Sequence, residues 1–199
     1  MLIMGFAPFI AAFSAWVMMG ESVGAKGLLG MIVTLAGVSL VVLERRRNGE
    51  HSLGFSYSVK GIFFAFGGAV GQGIGIVLSK YGMNGFGPFP STQIRIFAGT
   101  IGFALIITVL KRWRSVFNSI SDSQAMRALS IGTFFGPFIG VSFSLMAVQY
   151  TAAGIASTIM SVVPVLLIIP SYFIFGEKIT SKEVYGAILS FAGVALFFL

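Results

Sequence analysis

An all-α protein that crosses a membrane several times is the fold class this sequence predicts, and three observations predict it. Of 199 residues, 56% are apolar and only 10% charged, with a mean hydropathy of +0.96, which is more apolar surface than a water-soluble chain of this size buries. Apolar runs of about 17 residues or more recur along the chain, each long enough as a helix to cross a hydrocarbon layer of roughly 30 Å. The alternating apolar and polar pattern of barrel strands is missing, and lipid offers an open backbone no partners, so the runs are read as helices.

Seven spans follow, named A to G. Span A covers residues 1–19; its lack of a basic leader makes it a membrane helix rather than a secretory signal. Span B, residues 27–43, stops at Glu44-Arg45-Arg46-Arg47 and is followed by a polar linker over 44–57. Span C, residues 61–79, repeats glycine every fourth position at Gly67, Gly71 and Gly75, a smooth face for close helix approach. Its "GGAVGQGIG" lies inside an apolar helix, which is the wrong setting for a nucleotide loop. Span D, residues 93–110, ends at Lys111-Arg112-Trp113-Arg114. Span E, residues 128–149, carries a second ladder, Gly132, Gly136 and Gly140, around Pro137. Only Tyr150 and Thr151 separate it from span F, residues 152–175, so E and F are expected to form a tight antiparallel hairpin. Span G, residues 184–199, completes the set.

The chain has no cysteine, and its one histidine, His51, falls in the linker, so thiol redox chemistry, haem ligation and His-rich metal sites have almost nothing to work with. No cofactor, metal or enzymatic reaction is expected. The net charge of +7 sits in loops beside the spans, where it acts as a topology determinant rather than a nucleic-acid patch.

Sliding the chain along itself reveals an echo. At an offset of 156, residues 8–43 fall on residues 164–199 without a gap, and eleven of 36 pairs are identical. Among them are Pro8/Pro164, Gly20/Gly176, Glu21/Glu177, Lys26/Lys182, Gly30/Gly186 and Gly37/Gly193. Aligned proline, Gly-Glu and Ala-Gly-Val at fixed spacing mark a repeat. Spans A and B correspond to F and G; F comes five spans after A, an odd offset, so equivalent helices run in opposite senses.

An in-helix proline, Gly-Glu at the helix end, then glycine and Ala-Gly-Val in the next helix resembles the EamA-like families of the drug/metabolite transporter superfamily. "TAAGIASTIMSVVPVLLIIPSYFIFGEKITSKEVYGAILSFAGVAL" is the most specific part of the match. The resemblance implies ten helices as two five-helix repeats: residues 58–199 as a whole second repeat, residues 1–43 as the last two helices of the first, and 44–57 as the link. Met1 aligns with Ser157, so about three helices would precede it, and the expectation is a truncated chain rather than a shortened relative. On that reading the 199 residues insert, self-associate and carry no solute by themselves.

Polar groups inside the spans are the site candidates, because lipid penalises them. Gln72 in C, Ser142 and Ser144 in E, and Ser157, Thr158 and Ser161 in F lie near mid-span, and the expectation is an uncharged polar pocket around Gln72, Ser142 and Ser157. Each hydroxyl has a plainer use, a bond to the carbonyl one turn back. Gln72 has no such outlet and must face a helix or a wet cavity. Pro164 and Pro170, like Pro137 and Pro8, remove a helical hydrogen bond and free a carbonyl. Arg95, one turn into D, is either an anchor or a contact for an anionic group, and Gln149 with Tyr150 lies at the far end of E. Glu21 and Glu177 are assigned to turns at the membrane boundary. No acidic residue is near mid-span, so no proton-coupling carboxylate is visible.

The loops after B, D and F hold ten Lys and Arg, those after A, C and E two, which places the first set in the cytoplasm. The ten-helix arrangement implied by the resemblance places them outside; the expectation follows the charges. The functional expectation is a multi-pass protein of the cell membrane that moves small organic solutes, as an exporter, by alternating access. The alternative is a non-transporting remnant or interaction protein that self-associates through its glycine faces.

Overall fold

The computed structural model describes residues 2–48, 59–83, 85–120, 122–176 and 179–199; His51, Glu177 and most of the 44–57 linker lie outside them. A 3-10 turn over Leu2–Phe6 leads into α1 (Ala7–Met19), followed by α2 (Ala25–Asn48), α3 (Val59–Gly82), α4 (Pro88–Val109), α5 (Trp113–Ile120) and α6 (Ser123–Thr133). A π-helical segment, Phe134–Gly140, joins α6 to α7 (Val141–Tyr150); α8 (Ala153–Met160), α9 (Val163–Leu166), α10 (Ile168–Phe175) and α11 (Ser181–Ala195) complete the chain. The described residues are all-helical, as the composition predicts. Among the described residues, five stretches are long and apolar enough to cross a membrane: Ala25–Glu44, Lys60–Gly82, Pro88–Val109, Ser123–Tyr150 and Ala153–Ile174. Ile3–Met19 is a shorter apolar helix, and the seventh predicted span is α11, 15 residues long.

Two compact units divide the chain, residues 1–78 with 151–199, and residues 79–150. In the first, α2 packs along α11 and α1 packs along α8. Small residues permit both approaches. A Cβ on Gly154 would stand 2.6 Å from the Cβ of Ala12, and Ala11, Ala15, Ala153 and Ala156 are buried with it. Val38, Val41, Val162, Val165 and Ile168 form the apolar cluster beneath.

Prolines set the breaks. Pro8 stands in the first turn of α1, where an amide hydrogen would have no helical partner, so it starts that helix instead of bending it. Pro164 does the same for α9. Span F is therefore three short helices, interrupted at Ser161–Val162 and at Leu167, where Pro170 withholds the donor that Leu166 would need. The equivalent of Pro170 in the first copy is Ser14, and α1 runs unbroken. Pro137 widens span E into the π segment.

In the second unit, α4 packs on α7, with Phe89 and Phe138 in ring contact at 6.3 Å. Gly87, Pro88 and Pro90 start α4 five residues before span D was expected, so Arg95 lies about two turns inside it rather than one. Only 6% of the α4 window is buried, so its remaining surface is left for lipid or a partner. The stretch expected as a plain loop between D and E holds α5.

Candidate functional site

The geometry of the repeat is built from glycine. In the first unit, a Cβ on Gly30 would meet the carbonyl of Gly193 at 2.9 Å and the ring of Phe197 at 2.9 Å. A Cβ on Gly186 would meet the carbonyl of Gly37 at 2.9 Å and Val41 at 2.8 Å. Gly37 faces Ser190, and Gly193 faces Thr34. Adding 156 to the first-copy residue of one contact gives the second-copy residue of its counterpart: 30 and 186, 37 and 193, 34 and 190, 41 and 197. Residue 30 meets 193 while 37 meets 186, so α2 and α11 run antiparallel and present the same surface to each other. Their ends agree: Lys26 Nζ donates to the Leu199 carbonyl at 3.3 Å, and Lys182 pairs with Glu44 at 3.6 Å.

The helices on either side keep the same register. α1 starts at Ala7 and ends at Met19; α9 starts at Val163 and α10 ends at Phe175. Gly20 and Gly176 close them in the left-handed conformation, φ +69° and +65°, which a side chain would resist. Past Gly20, Glu21 turns back to α8, whose first amide, that of Ala153, donates to Oε2 at 3.0 Å. A carboxylate on a helix N-terminus satisfies an orphan donor and offsets the helix dipole. Glu21→Ala is expected to destabilise the fold by about 1 kcal/mol and Glu21→Gln, which keeps an acceptor, by less. Thermal unfolding in mild detergent checks this; equal stability of all three proteins would contradict the cap.

The polar candidates divide between the units. Gln72 is exposed on α3, beside Gly73, which seats on Ala7 and Ile10 of α1. The face of α3 that packs is thus the Gly68, Ala69 and Gly73 side, not the expected ladder. A Cβ on Gly67, Gly71 or Gly75 would meet no described atom within 4 Å, and the same holds for Gly132 and Gly136. Ser157 and Thr158 are buried on α8, and the Thr158 hydroxyl donates to the Gly154 carbonyl at 2.8 Å. Ser161, at the break before α9 and Pro164, donates to the Thr158 carbonyl at 2.6 Å. In the second unit, buried Ser142 donates to the Phe138 carbonyl at 2.6 Å and lies 3.1 Å from Thr92 Oγ1, whose own hydroxyl reaches the Pro88 carbonyl at 2.9 Å. Arg95 Nη1 donates to Ser79 Oγ at 3.1 Å, tying α4 to the last turn of α3. Ser144 is half-buried, and Gln149 is exposed near the end of α7.

Sequence reasoning missed Thr92, the partner of Ser142, because span D was expected to start at residue 93, which left Thr92 outside it. It also missed the capping box at the start of α11, where Thr180 and Glu183 exchange side-chain and backbone bonds, although Thr180-Ser-Lys-Glu183 spells that motif.

Residues 59–199 match the EamA-like transporter family. The chain belongs to the EamA-like transporter family. An uncharacterized transporter of Clostridium kluyveri is 28% identical over 179 residues, 90% of this chain and 56% of the relative. An uncharacterized transporter of Archaeoglobus fulgidus is 29% identical over 126 residues, 62% of this chain and 42% of the relative. The chain spans about half the length of these curated relatives. Membership identifies an integral, multi-pass membrane protein of a transporter family, in agreement with the apolar helices.

Proposed function

We propose that the chain moves small organic solutes outward across the cell membrane by alternating access, as part of a ten-helix arrangement in which residues 58–199 are one repeat and residues 1–43 end the other. The observation that carries this reading is the antiparallel α2 and α11 pair, two copies of one helix meeting through one surface. Two halves related in this way can exchange inward-open and outward-open forms at equal energy, which is the economy of inverted-repeat transporters.

In the first unit, the solute contacts we assign are Gln72 and the broken stretch around Ser157, Thr158, Ser161 and Pro164. The Ser161 hydroxyl hydrogen is already given to a carbonyl, so its oxygen lone pairs are the available group and accept bonds. Gln72 supplies both a donor and an acceptor. The lining suits uncharged solutes with N–H or O–H groups. In the second unit, Arg95, Ser142, Ser144 and Gln149 have the same assignment.

Vesicles test this. The chain is reconstituted alone and joined at residue 1 to the first three helices of an EamA relative, then loaded with a panel of labelled organic solutes. The joined protein is expected to give saturable efflux, which Gln72→Ala lowers about tenfold, the worth of one hydrogen bond in a dry site. Flux no greater than in empty vesicles would reject transport; saturable flux from the 199 residues alone would reject the division into repeats.

One observation favours a second reading. A Cβ on Gly67 or Gly71 would meet no described atom within 4 Å, and a second copy seated there would make the chain a self-associating membrane protein without transport. A stable oligomer without flux in either form would support it.

A further inference from the structure

The short helix α5 has a character that the transport reading does not use. Trp113, Val116, Phe117 and Ile120 recur at helical spacing, while Arg114, Ser115 and Asn118 occupy the other side. At eight residues it is roughly 12 Å long, far too short to cross a bilayer. Trp113, Phe117 and Ile120 are nonetheless 40%, 62% and 52% exposed. A short helix with one apolar and one basic side belongs in the membrane interface, apolar side down. It is also held in place. The Trp113 indole donates to Thr108 Oγ1 of α4 at 3.1 Å and stacks on Phe117 at 6.0 Å.

Between the end of α4 and α5 lies an open groove of about 320 Å³, lined by Ile107, Leu110, Arg112, Ser115 and Val116. Its floor is aliphatic and one guanidinium stands at its rim. Lys111 and Arg114 flank Arg112, so four consecutive residues carry three cations, and residues 51–121 contain no acidic side chain. The next acid, Asp122, is engaged at the start of α6 by the amides of Gln124 and Ala125. None of the three cations forms an ion pair among the described residues. No described acid supplies their counter-charge, and they follow directly on the apolar stretch Pro88–Val109.

We propose that α5 and the end of α4 bind an anionic glycerophospholipid, with Arg112, Lys111 and Arg114 around the headgroup phosphate and Ile107, Leu110 and Val116 against the start of an acyl chain. Charge and apolar groove point to one molecule that carries both features. A soluble phosphate ester would satisfy the cations and leave the groove and the exposed Trp113 and Phe117 in water. A zwitterionic lipid would fill the groove and leave the three charges unbalanced. The site is independent of the transport reading, and its test needs no flux.

The chain has two tryptophans, so Trp16→Phe leaves Trp113 as the only reporter. That variant is placed in nanodiscs containing brominated phosphatidylglycerol or brominated phosphatidylcholine over the same series of mole fractions. Quenching of Trp113 is expected at about tenfold lower mole fraction of the anionic lipid, and Arg112→Gln with Arg114→Gln is expected to abolish that preference. The emission maximum of Trp113 should stay unchanged in the double variant, showing α5 still inserted, and Arg112→Lys with Arg114→Lys should retain most of the preference. Equal quenching by both lipids, or a preference that survives removal of both arginines, would overturn the proposal. So would displacement of the lipid by soluble glycerol phosphate. If the double glutamine variant fails to fold, the original protein decides the matter: the preference should fall steeply between about 0.05 and 1 M salt, and insensitivity to salt would reject it.

Discussion

Gly37→Val is expected to unfold the first unit under conditions where Gly71→Val leaves it intact. Both positions are glycines inside apolar helices, and composition or propensity would rank the two substitutions alike. Their surroundings differ. At Gly37 the new Cβ would stand 2.5 Å from the Ser190 amide nitrogen and 2.6 Å from the Gly186 carbonyl oxygen, and both are backbone atoms that cannot swing aside. Relief requires α2 and α11 to separate along their crossing, which loses the packing of Val38 and Val41 as well. Overpacking of this kind costs about 3 kcal/mol or more. At Gly71 no described atom lies within 4 Å, so valine there should change stability by less than about 1 kcal/mol. Gly193→Val, which meets Thr34 in the mirrored contact, should match Gly37→Val. Unfolding by denaturing detergent measures all three; similar midpoints for the substitutions at 37 and 71 would show that the α2 and α11 contact is not formed in the membrane.

Cysteines placed at 26 and at 182 are expected to react from opposite sides of the membrane. Lys26 is in the first turn of α2 and Lys182 in the first turn of α11. Because the two helices run antiparallel, their first turns stand at opposite ends of the pair, which the contacts of Lys26 with Leu199 and of Lys182 with Glu44 mark out. The chain has no native cysteine, so each variant reports one position only. With an impermeant maleimide on intact cells, one variant should label and the other should stay at least about tenfold slower until the membrane is opened, since a charged reagent does not cross hydrocarbon. Lys182→Cys labelling from outside would show that the ten Lys and Arg of its set of loops do not govern orientation. Equal labelling of both variants from one side would end the inverted-repeat reading.

The helices and the repeat were legible in the sequence for one reason: lipid leaves the backbone few options, so apolar length alone places a helix, and glycine at fixed spacing survives as a backbone requirement. The aligned Gly30, Gly37, Gly186 and Gly193 marked the repeat, and the structure adds that they are where α2 and α11 approach most closely. The ladder at Gly67, Gly71 and Gly75 misled for the same reason. Spacing shows that a face is smooth, not that another helix covers it, and in α3 the packed side is that of Gly73. The boundaries of α4 were misjudged because hydropathy weighs Pro88 and Pro90 as breakers, while helix geometry uses them as starters. The hydroxyl candidates were the least readable. Ser142, Thr158 and Ser161 all spend a hydrogen on a carbonyl one turn back, and only coordinates reveal that Ser142 also meets Thr92, 50 residues away. α5 escaped notice because eight residues with basic neighbours look like loop in any window sized for a membrane span.

The crossing of α2 and α11 has the form of a homodimer contact written into one polypeptide. Each surface recognises a copy of itself, so any substitution in one copy is read by a counterpart that has not changed with it. Thr34 and Ser190 show the outcome: the same position in the two copies, now differing by a methyl group, with Ser190 donating to Gly186 while the Thr34 hydroxyl has no partner among the described residues. Covalent connection also removes the concentration dependence of the association, since a tethered partner is present at an effective concentration in the millimolar range or higher. Each helix thus carries its own cover, and the tether keeps the two faces together even where they differ by a methyl group.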